Sequence, residues 1–483
     1  QAEDGIRDVE RSRGLGDVYK RQLLTWTSII GVILASLSIG YYYGGRWADV
    51  KPNAERLAFM IFLAGIFTAL IPLLSASAKS IALYFGSMEG PLLASMLYFA
   101  MPSALLGIVS PYAVKLNTAK LSKLGASAGS IYAISTIGSI VGTFAAGFYL
   151  IPNFGTRTVL FGTSAVLLAS PMLLRGRRAI PIACASIIIA LFITSLTWAD
   201  SEGGILVYES DSQYYHIRVV DAPSLSMRYL YLDLQVASAM RLNSDELPPN
   251  YMDYTRFAYR LRPDAEGILF LGLGAGVEPT YVRKHMPSVE LEVVEVDARL
   301  LEVARNYFRF EEDENLRVVV GDARAVLAGS EKKYDLIRVD VFNSHDSIPF
   351  HLTTSEAVQE MKAHLKPDGL VVVNLVSALT GKRSRFFRAE YKTYRQHFEQ
   401  VEVLALGSEN PTIPQNIVLI ASNWAELDEQ KLIELAGEDK RLQAYSANLW
   451  EEEVEVDDVP ILTDDYAPVE SMIGELNLLQ IVG

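Results

Sequence analysis

One stretch decides the fold of the C-terminal part: Gly267-Ile268-Leu269-Phe270-Leu271-Gly272-Leu273-Gly274-Ala275-Gly276. An apolar run of strand length leads directly into a Gly-x-Gly-x-Gly turn, and a helical pattern begins near Glu278–Lys284. Glycine lets a backbone turn tightly and approach a ligand closely, although the motif alone also occurs in ordinary turns. Its place between a strand and a helix predicts a nucleoside-binding crevice with Gly272, Gly274 and Gly276 at its floor.

Further strand-like runs alternate with helical patterns after this loop. Such alternation predicts a parallel sheet with helices on both faces, which is an α/β Rossmann-like domain of the class I methyltransferase type. The last two runs are expected to finish the sheet in antiparallel fashion. The expected strands are Gly267–Leu271, Leu291–Val296, Leu316–Val320, Tyr334–Val339, Leu370–Leu375, Val401–Ala405 and Asn416–Ala421.

Three acidic residues stand where successive strands end, and ligands bind at that edge of such sheets. Glu295 lies 19 residues beyond Gly276, where a carboxylate can bind both hydroxyls of a ribose. Asp322 can accept a hydrogen bond from an adenine amino group, with the Ala323 backbone against the ring edge. Asp340 could orient an amine and take its proton. The structural alternatives are a solvated strand-end acid, a turn-forming aspartate and a helix cap, respectively.

A small β-rich region is expected before this domain, over residues 199–262. Its strand-like runs are 205–210, 214–222 and 227–237, with a turn at Pro223-Ser224. The Rossmann-like domain would then occupy residues 263–483.

The composition of the N-terminal part indicates a different solvent from that of the C-terminal part. Half of the 483 residues are apolar and 21% are charged, and the two kinds are segregated. Residues 23–198 carry 11 basic and 3 acidic side chains, net +8, whereas residues 199–483 carry 27 and 49, net −22. Segments of about 20 apolar residues can span a bilayer as helices. We therefore expect a transmembrane domain of about six helices over residues 23–198. The apolar runs are 23–45, 57–75, 91–114, 126–150, 158–174 and 179–198.

These runs predict a multi-pass protein of the cell membrane in contact with the lipid bilayer. Basic residues follow the odd-numbered runs, which predicts that those loops are cytoplasmic. This arrangement would put the end of the sixth run outside, but one misassigned run would reverse that result. The side of the soluble domain is therefore left open. Gly138, Gly142 and Gly147 offer small-residue faces for helix packing.

Residues 1–22 differ from both parts. Asp17-Val18-Tyr19-Lys20-Arg21-Gln22 looks like the translation of a sequencing adaptor joined to a truncated reading frame. The stretch is polar and has no hydrophobic core typical of a signal peptide. We expect it to be a disordered artefact, with the natural N-terminus missing.

Charge and composition also limit the partners. An acidic C-terminal part should repel nucleic acid and could attract a cationic substrate, although acidic surface also serves solubility alone. The single cysteine, Cys184, and six scattered histidines give no metal-ligand spacing, so we expect no metal. A homo-oligomer is left open.

The soluble part resembles the spermidine/spermine synthases, and residues 23–483 resemble their membrane-fused relatives. Gly44-Gly45-Arg46-Trp47-Ala48-Asp49 looks like a loop between major-facilitator-type helices. The segments that carry the resemblance in the soluble part are Asp211-Ser212-Gln213-Tyr214-Tyr215, Val294-Glu295-Val296-Asp297, Gly321-Asp322-Ala323, Tyr334–Asp340 and Leu462-Thr463-Asp464-Asp465-Tyr466-Ala467-Pro468.

The resemblance implies aminopropyl transfer from decarboxylated S-adenosylmethionine to a polyamine such as putrescine. It implies that Glu295 holds the ribose and Asp322 the adenine, that Asp340 is catalytic, and that Tyr214, Tyr215 and Asn343 lie on the substrate side. This sequence departs from the family pattern on that same side. Where the family has an acid, a glutamine, a further glutamine and a second acid, it has Ala275, Tyr215, Ala237 and Asn343.

Two alternatives follow from these departures. The same sheet serves methyltransferases that use S-adenosylmethionine itself, and Ala275 favours them slightly because the missing acid would contact a cation. The other alternative is a non-enzymatic membrane sensor or transport protein with a nucleoside-binding domain, and the presence of Asp340 argues against it.

Overall fold

The computed structural model describes residues 2–50, 52–117, 124–171, 204–233, 235–342, 348–406, 408 and 410–473. The chain divides into two compact units. One takes in Tyr19–Glu202 and is helical in its described part, and the other takes in Tyr214–Gly483 and is built of strands and helices. This division lies close to residue 199, where the net charge of the sequence changes sign. The finer boundaries, at residues 22 and 262, remain predictions.

Five helices cover the described N-terminal residues. Four of these helices contain segments long and apolar enough to cross a membrane: Thr25–Val50, Ala54–Leu74, Glu89–Asn117 and Gly125–Leu150. They correspond to the first four predicted runs. The fifth run overlaps a shorter apolar helix, Phe154–Ala169, and the sixth lies outside the described residues. The helices are α1 Ala2–Val50, α2 Ala54–Leu70, α3 Ser75–Asn117, α4 Leu124–Ala145 and α5 Ile151–Ala169.

Helix α1 begins far earlier than expected. It includes residues 2–22, which were expected to be disordered. That stretch contains no proline, so no residue lacks the backbone N–H that a continuing helix requires, although Gly5, Gly14 and Gly16 are poor helix formers. Whether residues 1–22 are an artefact of joining remains a prediction.

Close helix packing occurs at glycines of α1 and α3. A Cβ added to Gly40 would lie 2.9 Å from the Cα of Gly107, so that small residues let these two backbones approach. The close packing expected at the glycines in and just after α4 is not seen within the described part of the chain. A Cβ added at Gly138, Gly142 or Gly147 would meet no atom within 4 Å.

The second unit begins with a four-stranded sheet in the order β1-β2-β3-β4. Residues 227–237 were expected as one strand but form two, because Asp233 adopts a left-handed backbone (φ 55°) and reverses the chain. Its carboxylate accepts a hydrogen bond from the His216 N–H at 3.0 Å, which fixes the turn. The strands are β1 Ile205–Asp211, β2 His216–Ala222, β3 Met227–Leu232 and β4 Gln235–Arg241.

A seven-stranded sheet forms the centre of this unit, in the order β10-β11-β9-β8-β5-β6-β7. Strands β5 to β9 are parallel, and β10 and β11 are antiparallel. This confirms the predicted α/β fold and its antiparallel finish. The strands are β5 Gly267–Leu271, β6 Glu290–Glu295, β7 Leu316–Val320, β8 Tyr334–Val339, β9 Leu365–Ser377, β10 Gln400–Leu406 and β11 Gln415–Ser422.

Strand β9 is longer than expected. The expected strand was Leu370–Leu375, but the strand already begins at Leu365, which pairs with Tyr334. The register is irregular between Tyr334 and Leu336, because Tyr334 pairs with Leu365 and Leu336 pairs with Leu370, so Lys366–Gly369 form a bulge in the ladder.

Helices cover both faces of the sheet. Along β5, Ile268 and Phe270 pack into one hydrophobic core while Leu269 and Leu271 pack into the other. The carboxyl ends of the strands are therefore where a ligand can approach the sheet. The helices are α6 Tyr251–Tyr254, α7 Arg256–Leu261, α8 Val277–His285, α9 Ala298–Tyr307, α10 Ala323–Ala328, α11 Ser355–Ala363, α12 Arg385–Arg395, α13 Glu429–Ala436, α14 Lys440–Ser446 and α15 Val469–Ile473.

Candidate active site

The glycine loop joins β5 to α8 and requires glycine at two positions for separate reasons. Gly272 has φ 96°, and a Cβ there would lie 2.5 Å from the carbonyl oxygen of Asp340. Gly276 has φ 70°, and a Cβ there would lie 2.5 Å from the ring of Phe310. Gly272 therefore brings the loop against the end of β8, whereas Gly276 accommodates an aromatic ring as α8 begins.

Glu295 ends β6 and is 6% exposed. Its Oε2 accepts a hydrogen bond from the Leu273 N–H at 2.9 Å, and its Oε1 accepts one from the Asp297 N–H at 2.9 Å. Burial raises the pKa of Glu295 despite these hydrogen bonds. The side chain thus fixes the glycine loop, and its carboxylate also lines the pocket described below.

Asp322 lies between β7 and α10 and caps the helix. Its Oδ1 accepts a hydrogen bond from the Ala325 N–H at 3.0 Å, and its Oδ2 lies 2.9 Å from Nε2 of His351. Burial opposes ionisation, but these contacts keep the pKa of Asp322 below its ordinary value. Asp322 therefore caps a helix, where the alternative stated for it was a turn-forming aspartate, and this structural role coexists with a position in the pocket wall.

Asp340 directly follows β8, and its side chain is 15% exposed. Its Oδ1 accepts a hydrogen bond from Asn374 Nδ2 at 3.0 Å, and its Oδ2 accepts one from Arg338 Nη2 at 3.2 Å. Burial raises the pKa of Asp340, and the nearby carboxylate of Glu278 adds to this, while Arg338 lowers it. A carboxyl held in this way can take up a proton during a reaction more readily than a solvated one.

These three acids line one cavity of about 260 Å³ at the carboxyl ends of β5, β6, β7 and β8. The predicted residues Tyr214, Tyr215, Gly272, Gly274 and Ala323 line it as well. Gly276 is not among the residues of the wall, and Asn343 lies outside the described residues. The remaining wall consists of Leu232, Val294, Val296, Leu300, Gly321, Val341, Pro349, His351 and Leu352.

Tyr214 and Tyr215 reach the cavity from the turn between β1 and β2. Burial, with the carboxylates of Glu295 and Asp297 nearby, raises the pKa of Tyr215 to about 12. Its hydroxyl therefore stays protonated at neutral pH. Tyr214 is 49% exposed and lies at the mouth.

A second, very small cavity of about 20 Å³ lies behind the glycine loop, and Gly272, Gly274 and Asp340 line both cavities. Its volume suffices for about one water molecule. Ala237, Ser238, Tyr251 and Glu278 are among the other residues of its wall.

Several residues of the site were missed from the sequence. His351 and Leu352 close the rim from a 3-10 turn, and no local signal marks them. Arg338 gave a usable signal, since it is a charged residue within the otherwise apolar run Leu336–Val339. The structure buries all six residues of that strand. Glu278 stood at the start of a helix, where an acid is ordinary.

Side chains that could bind a metal ion do not cluster in the described part of the chain. No group of three or more His, Cys, Asp or Glu side chains there is arranged to hold an ion. A larger open cavity of about 440 Å³ lies beside Arg388 and Asp458, but neither the glycine loop nor the three strand-end acids line it.

The chain is similar to known proteins over the part that carries this cavity. The family described as Spermine/spermidine synthase domain matches residues 254–429. A polyamine aminopropyltransferase of Vibrio vulnificus (strain CMCP6) is 36% identical over 151 residues, which is 31% of this chain and 48% of that protein. The chain therefore spans about half the length of that relative.

A methyltransferase is also similar. The human eEF1A lysine and N-terminal methyltransferase is 31% identical over 120 residues, which is 23% of this chain and 17% of that protein. Among solved structures, spermidine synthase from Thermotoga maritima is 20% identical with a TM-score of 0.40, covering 51% of this chain and 85% of that one. Residues 254–429 are thus similar to the spermine/spermidine synthase domain, with more extensive similarity to an aminopropyltransferase than to the methyltransferase.

Proposed function

We propose that this spermine/spermidine synthase domain transfers an aminopropyl group from decarboxylated S-adenosylmethionine to a small amine. One observation carries the proposal. Glu295, Asp322 and Asp340 end three different strands and converge on a single cavity of about 260 Å³ beside the glycine loop. A nucleoside held by the first two acids would lie with its sulfur end towards the third.

The donor would lie along the edge of the sheet. The carboxylate of Glu295 would accept hydrogen bonds from the ribose hydroxyls, and Asp322 would accept one from the adenine amino group, with Ala323 against the ring. Both carboxylates already accept backbone hydrogen bonds, and each oxygen has a second lone pair for a ligand. His351 would release the outer oxygen of Asp322 as adenine binds.

The chemical step is a displacement at carbon. The nitrogen of the amine attacks the carbon beside the sulfonium, a C–N bond forms, and the C–S bond breaks with its electron pair passing to sulfur. The products are methylthioadenosine and an alkylated ammonium, which loses one proton. Because the sulfonium already activates the leaving group, the protein must mainly position the amine and accept its proton. Asp340 is the acceptor that we assign.

The amine would approach between the glycine loop and the β1–β2 turn. Tyr215 would donate its hydroxyl hydrogen bond there, Tyr214 would line the mouth, and Asn343 would complete the substrate side. In this chain Ala275 is fully buried and Ala237 is 3% exposed. Neither can replace the polar side chains of the family pattern, so recognition of the amine differs from that pattern.

Methyl transfer is the second candidate, and Ala275 is the observation that favours it. An acid at this position would hold the cationic amine of the decarboxylated donor, and alanine removes that contact. Ordinary S-adenosylmethionine carries a carboxylate on the same tail and has less need of an acid there.

We further propose that the helical unit anchors the chain in the cell membrane as a multi-pass domain. Four helices have the length and composition that this requires. A major-facilitator-like origin rests on Gly44–Asp49 alone. Contact with lipid follows from this proposal, and a homo-oligomer stays open.

The test uses the full chain purified in detergent with decarboxylated or ordinary S-adenosylmethionine and a panel of mono-, di- and polyamines. Mass spectrometry identifies the nucleoside product. Methylthioadenosine that requires both the decarboxylated donor and an amine supports aminopropyl transfer and identifies the acceptor. Release of S-adenosylhomocysteine would instead indicate methyl transfer. If neither product forms, both candidates are contradicted.

A further inference from the structure

Arg338 is a guanidinium in the interior of the protein, next to the proposed base. This inference rests on the proposed aminopropyl transfer. We propose that Arg338, with Glu278 as its fixed counter-ion, is a positioning residue that keeps Asp340 ionised and oriented towards the attacking amine. The residue acts through Asp340 and lines neither of the two cavities.

The geometry of Arg338 leaves it little freedom. The residue is 0% exposed in the middle of the sheet. Its Nε lies 3.2 Å from both carboxylate oxygens of Glu278, its Nη1 donates to the Val339 carbonyl at 2.7 Å, and its Nη2 lies 3.2 Å from Asp340 Oδ2. All three nitrogens of the guanidinium thus have partners, and the partner of Nη2 is the carboxylate of Asp340, the proposed base.

Glu278 is the fixed end of this cluster. Its Oε1 also accepts hydrogen bonds from Thr255 Oγ1 at 2.5 Å and from the Tyr259 hydroxyl at 2.6 Å. Buried charges are costly unless they are paired and hydrogen-bonded. Glu278 meets that condition fully, so it serves as an immobile anion that holds Arg338 in place.

Asp340 is the end of the cluster that faces the cavities. Two carboxylates share one guanidinium, so the cluster carries one net negative charge when all three groups are ionised. Glu278 does not line the cavity of about 260 Å³, whereas Asp340 lines both that cavity and the one of about 20 Å³. The carboxylate that faces the substrate is therefore the one whose charge depends on Arg338.

The groups around Asp340 act on its ionisation in opposite directions. Burial and the charge of Glu278 raise the pKa of Asp340, and Arg338, Asn374 and Tyr251 lower it. Burial raises the pKa values of Tyr251 and Tyr259, which stay neutral donors. Without Arg338, burial and Glu278 would favour the protonated acid, which cannot accept the proton of the amine.

A buried ion pair can also be a mere structural support, and many are not even stabilising. That alternative predicts a lower melting temperature for Arg338 variants with an unchanged pH dependence of turnover. A positioning role predicts that removal of Arg338 and removal of the Glu278 charge shift the pH dependence in opposite directions. The two roles can therefore be separated by experiment.

The experiment measures kcat and the donor KM from pH 5 to pH 10 for the full chain in detergent, with the acceptor amine identified above. For Arg338→Gln we expect kcat at pH 7 to fall at least about tenfold. The donor KM should change little, and the acid limb of the profile should move to higher pH. Arg338→Lys should retain the acid limb of the wild type, because it keeps the charge. Glu278→Gln should move that limb to lower pH.

Arg388→Gln is the matched control. Arg388 is also buried and pairs with a carboxylate, Asp458, but it lies on α12 outside the proposed site. Its variant should lose stability without a shift of the acid limb. Equal loss of kcat at every pH in Arg338→Gln, or an unmoved limb in Glu278→Gln, would overturn the inference.

The Glu278 variant keeps the test decisive when Arg338→Gln does not fold, since an amide has nearly the same shape as the carboxylate. Failure of the proposed function looks different. In that case the wild-type chain forms no methylthioadenosine, and the inference falls with it.

Discussion

The carboxylate of Glu295 accepts a hydrogen bond from the backbone N–H of Leu273 at 2.9 Å. The residue at the end of β6 is thereby joined to the glycine loop that follows β5. The same side chain that is assigned to the ribose therefore also fixes the floor of the cavity. Loss of this carboxylate should affect both stability and donor binding.

For Glu295→Gln, we expect the donor KM to rise at least about tenfold, because a bidentate acceptor of two hydroxyls becomes a single acceptor. We expect a loss of about 1–3 kcal/mol in the free energy of unfolding, since one of two buried N–H groups loses its acceptor. Steady-state kinetics and chemical denaturation measure these effects. Glu292→Gln on the same strand is the control, since Glu292 pairs with Arg317 and does not line the cavity. An unchanged donor KM in Glu295→Gln would contradict the ribose assignment.

Asp340→Asn should abolish turnover while sparing the donor. Removal of a general base typically costs a factor of about 10²–10⁴ in kcat. The amide can still accept from Arg338, so donor affinity by isothermal titration calorimetry should remain within about twofold. Asp335→Asn at the other end of β8 is the control, because Asp335 accepts from the backbone of Glu266 and Gly267 away from the cavity. Normal turnover by Asp340→Asn would rule out its catalytic role.

The Asp322→Asn variant separates the capping of α10 by Asp322 from its proposed contact with adenine. Asparagine is as good a helix cap as aspartate, so the free energy of unfolding should change by less than about 0.5 kcal/mol. With its oxygen on the Ala325 N–H, the amide would present an NH₂ group to the adenine amino group, and two donors repel. We expect the donor KM to rise several-fold. The control is Asp297→Asn at the cap of α9, and equal effects in both variants would mean that Asp322 only caps its helix.

Asp464, within the segment Leu462–Pro468, supports the rim of the cavity. It accepts hydrogen bonds from Arg324 at 2.5 Å and 2.7 Å and from the Thr354 hydroxyl at 2.7 Å. Arg324 in turn donates to the carbonyl of His351 at 3.0 Å. The segment Leu462–Pro468, which resembles a family signature, is therefore connected through Arg324 to His351, the residue that contacts Asp322.

This network has a defined pH dependence. The hydrogen bond from Arg324 holds the pKa of Asp464 below its ordinary value of 3.8. A lowered pKa contributes stability that is fully present above the ordinary value and is lost as the pH falls through the lowered one. Because the pair is partly exposed, its contribution should not exceed about 1 kcal/mol. The melting-temperature difference between wild type and Asp464→Asn should therefore shrink below about pH 4. Asp465→Asn, at the exposed neighbour, should show no such difference, and a constant difference for Asp464→Asn would contradict the assignment.

The proposed membrane location of the helical unit leads to a separate prediction. A protein with four apolar spans should remain in the membrane pellet after alkaline carbonate extraction and enter solution with detergent. Tyr132→Lys and Ile134→Lys in α4, at residues 53% and 71% exposed, should reduce insertion because a charge in the bilayer is costly. Full extraction by carbonate would contradict the proposed membrane location.

Much of the fold could be predicted from the sequence because it follows from local patterns. The apolar run into Gly272, the spacing to Glu295 and the acids after β7 and β8 all depend on neighbours along the chain. The errors were local as well: Asp233 adopts a left-handed backbone, and β9 continues through Lys366–Gly369. A single sequence does not reveal such backbone choices, since each is decided by the strand that pairs with it.

The sequence by itself determined the glycine loop, the alternation of strands and helices, and the three acids at the strand ends. Only the tertiary structure decided which residues accompany those acids. Strand order puts β8 beside β5, which brings Arg338 to Glu278 across 60 residues of sequence. A 3-10 turn brings His351 to Asp322. These contacts depend on long-range packing, because the energy of a buried charge is fixed by what surrounds it in space.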